Sequence, residues 1–246
     1  MGDVTDSRAV DISALLGKCR SATIFHSLEW NRVLSSELDL EPVVSLVLSG
    51  GGAVGCNVFY RRWGSVGLKT SWSPPRMYDS VYGGPVFLDG FEDAAHVLLA
   101  EQERRSGAHT TYVVTPPGFD AGLLRRAGYS VVMAETVVLD LGRSEDDLWK
   151  GLGPKRRNMI RRAEREGVHV RAGSEADVVH YHDLLRDTLA RSGREALPLS
   201  LFRRVVRELV PASAASFLIA TCKEKIVAGA LLLHWGSTSV YWSGAS

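Results

Sequence analysis

Apolar residues recur along the chain with two distinct periods. Ile24, Leu28, Trp30, Val33 and Leu34 fall at helical spacing, which predicts a helix over about Ser27 to Glu37 behind a polar lead. Two Val-rich runs, "PVVSLVLS" and "AVGCNVFYR", follow on either side of Gly50 to Gly52 and predict a hairpin. Residues Trp63 to Pro85, rich in Gly, Ser, Pro and aromatics, read as irregular strand and loop. "FEDAAHVLLAEQERRSG" carries its apolar residues on one side and ends on Gly107, the pattern of an amphipathic helix. "HTTYVVTPP" reads as a strand halted by prolines, "FDAGLLRRAG" as a helix closed by Gly128, and "YSVVMAETVVLDL" as two strands around Ala134 and Glu135.

A comparable order then begins again. A helix is predicted from Pro154, a residue suited to a first turn, to Glu166, with Gly167 at its end. A strand "VHVRA" follows it. Ser174 and Asp177 then have the spacing of a capping box ahead of a helix whose apolar stripe is Val178, Tyr181, Leu185 and Leu189. A further helix spans about Leu199 to Leu209, and three strands, "SFLIATC", "KIVAGALLLHW" and "TSVYWSGAS", complete the chain. The expected organisation is a lead at 1–22, a first domain at 23–143, a helical connector at 144–167 and a second, partial domain at 168–246. The last strand leaves a bare sheet edge at Ser246, which predicts a piece of a longer tandem protein, because sheet edges are normally protected.

Composition narrows the function classes. A 45% hydrophobic content with 23% charged residues is that of an ordinary folded protein, and the order of predicted helices and strands makes it mixed α/β (α+β). With 29 Lys plus Arg against 28 Asp plus Glu, bulk charge gives no argument for a nucleic-acid role. The charge is nevertheless uneven. Between Lys150 and Arg171 stand eight basic residues and two acids, a local +6 that leaves −5 for the rest of the chain. Within that segment Met159, Ile160 and Ala163 form only a narrow apolar stripe. A solvated charged helix is the plain alternative. The concentration points instead to a polyanionic partner met by Lys155, Arg156, Arg157, Arg161, Arg162 and Arg165: a tRNA arm, a pyrophosphate or an anionic membrane surface.

Cys19, Cys56 and Cys222 have no CxxC spacing, which argues against zinc and suits a reducing, cytoplasmic setting. His180 and His182, two residues apart on a helix, point to different faces and are not expected to share a metal. No Gly-x-Ser-x-Gly nucleophile elbow is present.

"FHSLEW", "VYGGPV", "LLRRAGY", "TVVLDL", "LWKGLGPKRRNMIRRAEREGV", "LLRDTLARSG" and "VYWSGAS", in that order and spacing, resemble the Fem family of peptidoglycan-bridge aminoacyltransferases. The resemblance implies tandem acetyltransferase-like (GNAT) domains with mixed sheets flanked by helices, the second incomplete here. It implies aminoacyl transfer from an aminoacyl-tRNA co-substrate, without a bound cofactor, to an amine of a nucleotide- or lipid-linked cell-wall precursor. Peripheral contact with an anionic membrane accompanies that setting. Relatives with acyl-CoA donors in polysaccharide synthesis leave a second possibility, and a non-catalytic polyanion-binding module a third.

The resemblance also implies site residues. Arg191 matches a position that contacts precursor phosphates, although an exposed Arg answering a helix dipole is an equal alternative. Arg32 or Leu34 matches another phosphate-reaching position near Trp30, which itself reads as core. Tyr82, Gly83 and Gly84 could line an acceptor channel or form a tight turn, and Tyr241 could touch substrate or pack. The nearest approach to a coenzyme A pyrophosphate turn is Arg61 with Gly64, where Val66 replaces the required Gly or Ala. Leu124 stands where a tyrosine acid is often found. The catalytic lysine of the family is expected beyond Ser246.

Overall fold

The computed structural model describes residues 4–5, 12–63, 67–75 and 80–246. Contact clustering divides the chain into two units. One is Met1–Val132 with Pro211–Ala214 and Leu233–Val240, and the other is Met133–Val210 with Ala215–Leu232 and Tyr241–Ser246.

The first unit begins with β1 (Val4–Thr5) and α1 (Ile12–Leu16), followed by α2 (Leu28–Leu38). Helix α1 corrects the reading of this stretch as a mere polar lead. Ile12, Leu15 and Leu16 are buried, and they share a core with Cys19, Ala22, Leu46, Cys56 and Val86. Three apolar residues within five positions are too few to stand out in a sequence, yet they suffice to dock one helical turn. Helix α2 starts where predicted because the Ser27 side chain accepts from the Trp30 N–H. Its buried face is Trp30, Asn31, Val33 and Leu34.

Strands β2 (Pro42–Ser49) and β3 (Gly52–Trp63) pair antiparallel, from Pro42↔Tyr60 to Ser49↔Gly52. Gly50 and Gly51 have φ of 57° and 81°, values that make the two-residue turn possible. The sheet continues through β4 (Lys69–Ser73), β5 (Val86–Phe87) and β6 (Thr110–Val113). Among the described residues its order is β1-β2-β3-β4-β6, with β5 pairing β3. Helix α3 (Asp93–Ser106) carries the chain between β4 and β6, which lie parallel, and α4 (Ala121–Arg126) follows. Gly55 admits α3 closely: a Cβ there would stand 3.2 Å from the Ala94 Cβ.

This unit also buries a polar chain. The Asn57 amide donates to Gln102 Oε1 at 2.8 Å, and Gln102 donates to Ser71 Oγ at 3.0 Å. Ser73 Oγ donates to the Val58 carbonyl and accepts from the Gly84 N–H at 2.8 Å. Complete pairing makes four fully buried polar side chains tolerable and fixes β3, β4, α3 and the Gly83–Gly84 turn in one register.

The two strands predicted in 129–141 are absent. That stretch has no regular secondary structure, and Val132, Val137 and Val138 are 91%, 95% and 75% exposed. A β-branched run becomes a strand only when a neighbouring strand pairs with it, and the sheet ladders of the described residues do not include this run.

The second unit opens with α5 (Glu145–Gly151), a helix the periodicity did not reveal, capped by Ser144 accepting from the Asp147 N–H. Then come α6 (Pro154–Arg165), β7 (Val168–Ala172), α7 (Val178–Ala190) and α8 (Leu199–Arg204), the last continuing as a π turn over Val205–Leu209. Gly167 ends α6 with φ of 80°. Strands β8 (Ala215–Cys222), β9 (Lys225–Trp235) and β10 (Thr238–Ala245) complete a sheet of order β10-β9-β8-β7 among the described residues. Tyr181, Phe202, Phe217 and Trp242 pack as neighbouring rings in its core, with Tyr181 and Phe217 edge to face at 5.3 Å.

The capping box before α7 is as predicted. Asp177 accepts from the Ser174 N–H at 2.8 Å and from both Arg171 Nη groups at 2.6 and 2.8 Å. These bonds, Arg171 first, hold its carboxyl well below the usual carboxylate range. Its contribution is therefore present at neutral pH and lost on strong acidification. Asp177→Ala is expected to cost about 1–2 kcal/mol at neutral pH, read as a lower urea midpoint.

Candidate functional site

The second unit contains a cavity of about 420 Å³ on the sheet, bounded by β7, β8, β9, β10 and the end of α7. Ala220, Ala228, Gly229 and Ala230 form its wall, and Thr188, Tyr241 and Ser246 supply its polar groups. Small side chains leave the volume open. Gly229 has a second reason to be glycine, since a Cβ there would stand 2.6 Å from the buried Tyr181 ring. No Asp, Glu, Lys, Arg or His lines the cavity.

Tyr241 is 67% exposed, and its hydroxyl occupies the space a Cβ on Gly244 would need, 1.5 Å from that position. Glycine at 244 thus permits the phenol to lie along its own strand at the cavity edge. Arg191, in the turn after α7, reaches the same edge. Its Nη2 donates to Thr188 Oγ1 at 3.1 Å and to the Ser246 carbonyl at 2.5 Å. Ser246 in turn donates its N–H to Thr188 Oγ1 at 3.2 Å. Both of these bonds use Nη2, which leaves the Nε and Nη1 donors directed at the rim.

Arg191 and Tyr241 are thus brought together. Thr188 and the Ala/Gly wall were not anticipated, although the run Val-Ala-Gly-Ala in β9 was a visible sign of a strand stripped of bulk.

The other candidates lie in the first unit. Arg32 is exposed on α2, whereas Leu34 is fully buried and cannot reach a ligand. Tyr82 is half-buried, edge-on to Phe25 at 6.3 Å. Gly83 and Gly84 are buried, and their own chain explains them: a Cβ on Gly83 would strike Pro74 N at 2.4 Å, and Gly84 has φ of 84°. The Gly83 N–H donates to the Val114 carbonyl at 2.7 Å. His26 packs beside this turn, fully buried, with its Nδ1 accepting from the Thr23 N–H at 3.0 Å. Burial pushes its pKa down to about 4, and the nearby Gly83 and Thr23 backbone offsets only part of that cost.

The Arg61, Gly64 and Val66 pattern falls partly outside the described residues. Cys19 and Cys56, remote in sequence, share one core cluster, and burial raises both thiols, Cys19 to about 11. Among the described residues no three His, Cys, Asp or Glu side chains converge as a metal site would require, and no helix is long and apolar enough to cross a membrane.

Helix α6 buries none of its residues. Its Arg157 Nη1 donates to the carbonyls of Leu152 and, at 3.0 Å, of Lys150, which closes the end of α5. The Arg161 guanidinium lies over the Trp149 ring, 5.6 Å from its centre, and Arg162 pairs with Glu166 at 2.7 Å.

Residues 154–246 match the family model described as the acetyltransferase (GNAT) domain. The whole chain is similar to a crystal structure of FemX, with a TM-score of 0.70 and 13% identity over 95% of this chain and 77% of that one. It is also similar to the C-terminal domain of a putative lysylphosphatidylglycerol synthetase from Agrobacterium fabrum, with a TM-score of 0.51 and 17% identity over 89% of this chain and 63% of that one. A conserved protein of unknown function from Bacteroides thetaiotaomicron matches with a TM-score of 0.51 and 13% identity over 94% of this chain and 75% of that one. No curated protein sequence matches significantly. The fold is therefore shared with FemX along nearly the whole chain.

Proposed function

We propose that the protein transfers an aminoacyl group from an aminoacyl-tRNA ester to an amine of a cell-wall precursor. In that reaction the neutral amine attacks the ester carbonyl, an amide C–N bond forms, the C–O bond breaks, and the proton shed by the amine passes to the departing ribose oxygen. The observation that carries this reading is the likeness to FemX along nearly the whole chain. The name of the lysylphosphatidylglycerol synthetase neighbour, which describes a lysyl group on a phospholipid, supports aminoacyl transfer in the cell envelope.

In this reading the open donors of Arg191 hold a phosphate of the acceptor at the cavity rim, with Tyr241 beside it. A fork of N–H groups suits phosphate oxygens better than an ammonium does.

The test is transfer of a labelled amino acid from charged tRNA to a muropeptide or lipid-linked precursor, and activity with acetyl-CoA alone overturns the reading. In the same assay Arg191→Ala is expected to raise the KM for the phosphate-bearing acceptor about 10- to 100-fold, with kcat changed much less. Arg191→Lys should restore only part of the loss. An equal KM for an acceptor stripped of its phosphates, in the unaltered protein, would sink the assignment of Arg191.

One observation favours a second reading, transfer of an uncharged acyl group from an acyl-CoA. The cavity offers no carboxylate to pair with the α-ammonium of an aminoacyl donor, and an unpaired buried charge is costly.

A further inference from the structure

The corner between α5 and α6 is braced by its own arginines. Arg157 is tied to the carbonyls that end α5, Arg161 rests on Trp149, and the Arg165 Nε–H donates to the Arg161 carbonyl at 3.3 Å. These three residues, four apart, form a row along one side of α6 at intervals of about 6 Å. Lys155 and Arg162 flank the row on the same side. Glu166, bound to Arg162, is the acid that pairs with an α6 cation among the described residues. Glu164 and Glu166 offset part of the positive field of this face, which stays strongly cationic, and the contacts of Arg157 and Arg161 order two of its side chains before a ligand arrives.

We infer that this face docks the phosphodiester backbone of a folded RNA. Five of the six cations of α6 are arginines, whose forks match phosphate oxygens, and the spacing of the row presents them one after another along a strand. Trp149, half-buried beneath Arg161, adds an aromatic surface at the end of the row. A helix that lies on a membrane instead sinks a broad face of large apolar side chains opposite its basic one. Here the apolar side of α6 offers only Met159, Ile160 and Ala163, a stripe too narrow to anchor a helix in lipid. Choosing RNA as the nucleic acid rests on the aminoacyl-donor reading; the cationic face itself does not.

The experiment is binding of a fluorescently labelled RNA hairpin with a single-stranded 3′ end, followed by anisotropy at rising salt. With five phosphates neutralised, the affinity should fall about 500-fold between 50 and 200 mM salt. The triple variant Lys155→Glu/Arg162→Glu/Arg165→Glu, which spares Arg157 and Arg161, the two residues that contact α5, should reduce the slope of log affinity against log salt by about three. Its circular dichroism and Tm should match the unaltered protein. A control with three exposed cations reversed elsewhere, Lys18→Glu/Arg125→Glu/Arg203→Glu, should keep the slope.

Affinity indifferent to salt or equal in the triple variant overturns the inference. So does a triple variant that loses phosphatidylglycerol vesicles while still holding the hairpin. Hairpin binding through α6 in a protein that uses only acetyl-CoA would sink the donor reading and leave this surface standing. Transfer from charged tRNA with an unchanged KM for that tRNA in the triple variant would do the reverse.

Discussion

Trp30→Ala is expected to lower the stability of the first unit by about 3–5 kcal/mol, among the largest losses a single core truncation produces. Trp30 is fully buried on α2, its ring stands edge to face against Phe25 at 5.5 Å, and its Nε1–H donates to Ser80 Oγ at 2.9 Å. Alanine removes the apolar contacts, opens a cavity beside Phe25 and Leu34, and strips the buried Ser80 hydroxyl of a donor. The terms separate by substitution. Trp30→Phe keeps most of the packing and gives up the hydrogen bond, so it should cost about 1–3 kcal/mol. Urea unfolding of both variants reads the difference, with m unchanged if the denatured state is unaffected. A loss below 1 kcal/mol in Trp30→Ala would mean that the pocket collapses onto the vacancy and that Trp30 is not the keystone of this helix.

The second large effect is a dependence on pH. His26 is neutral in the folded protein because burial lowers its pKa from 6.5 to about 4. Between those values the unfolded chain binds the proton and the folded one does not. Stability from this group is therefore complete above pH 6.5 and falls as the pH drops towards 4, by about 3 kcal/mol in total. Carboxylates add their own losses at the acid end, so the decisive quantity is the difference between the unaltered protein and His26→Gln. That difference should narrow steadily as the pH falls from 7 to 4. Parallel curves would show that His26 takes up its proton at the same pH in the folded and unfolded states and that burial does not hold it neutral.

The acceptor-phosphate and RNA readings address different residues of the second unit, Arg191 at the cavity and the row on α6. They also fail separately. A protein with a working α6 and no response to Arg191 substitutions would still bind its polyanion and would place the acceptor elsewhere.

Local signals carried much of the fold. Pro154 and Gly167 bracket α6 because proline suits a first helical turn and glycine accepts the φ of 80° that ends it. Gly50 and Gly51 announced the hairpin for the same reason, and Ser174 with Asp177 announced α7. The resemblance in motif order led to the Fem-like fold and to Arg191 and Tyr241, which meet at one cavity. The run from Val131 to Leu141 misled, because β-branched residues advertise a strand without saying whether a partner strand is there to pair with it. Helix α1 was hidden by its length, and α5 by its charge.

The sequence by itself therefore determined what depends on neighbours a few residues away: caps, turns, the periods of the helices and strands, and the excess of arginine on α6. Tertiary structure alone decided what depends on residues far apart in the chain. It joined Asn57 to Gln102 and Trp30 to Ser80, buried His26 against Gly83 and Gly84, and set Thr188, Arg191 and Tyr241 around a wall of alanines. Backbone geometry is encoded by each residue's own steric limits, whereas a buried hydrogen bond or a cavity exists only once separate strands and helices have taken their register.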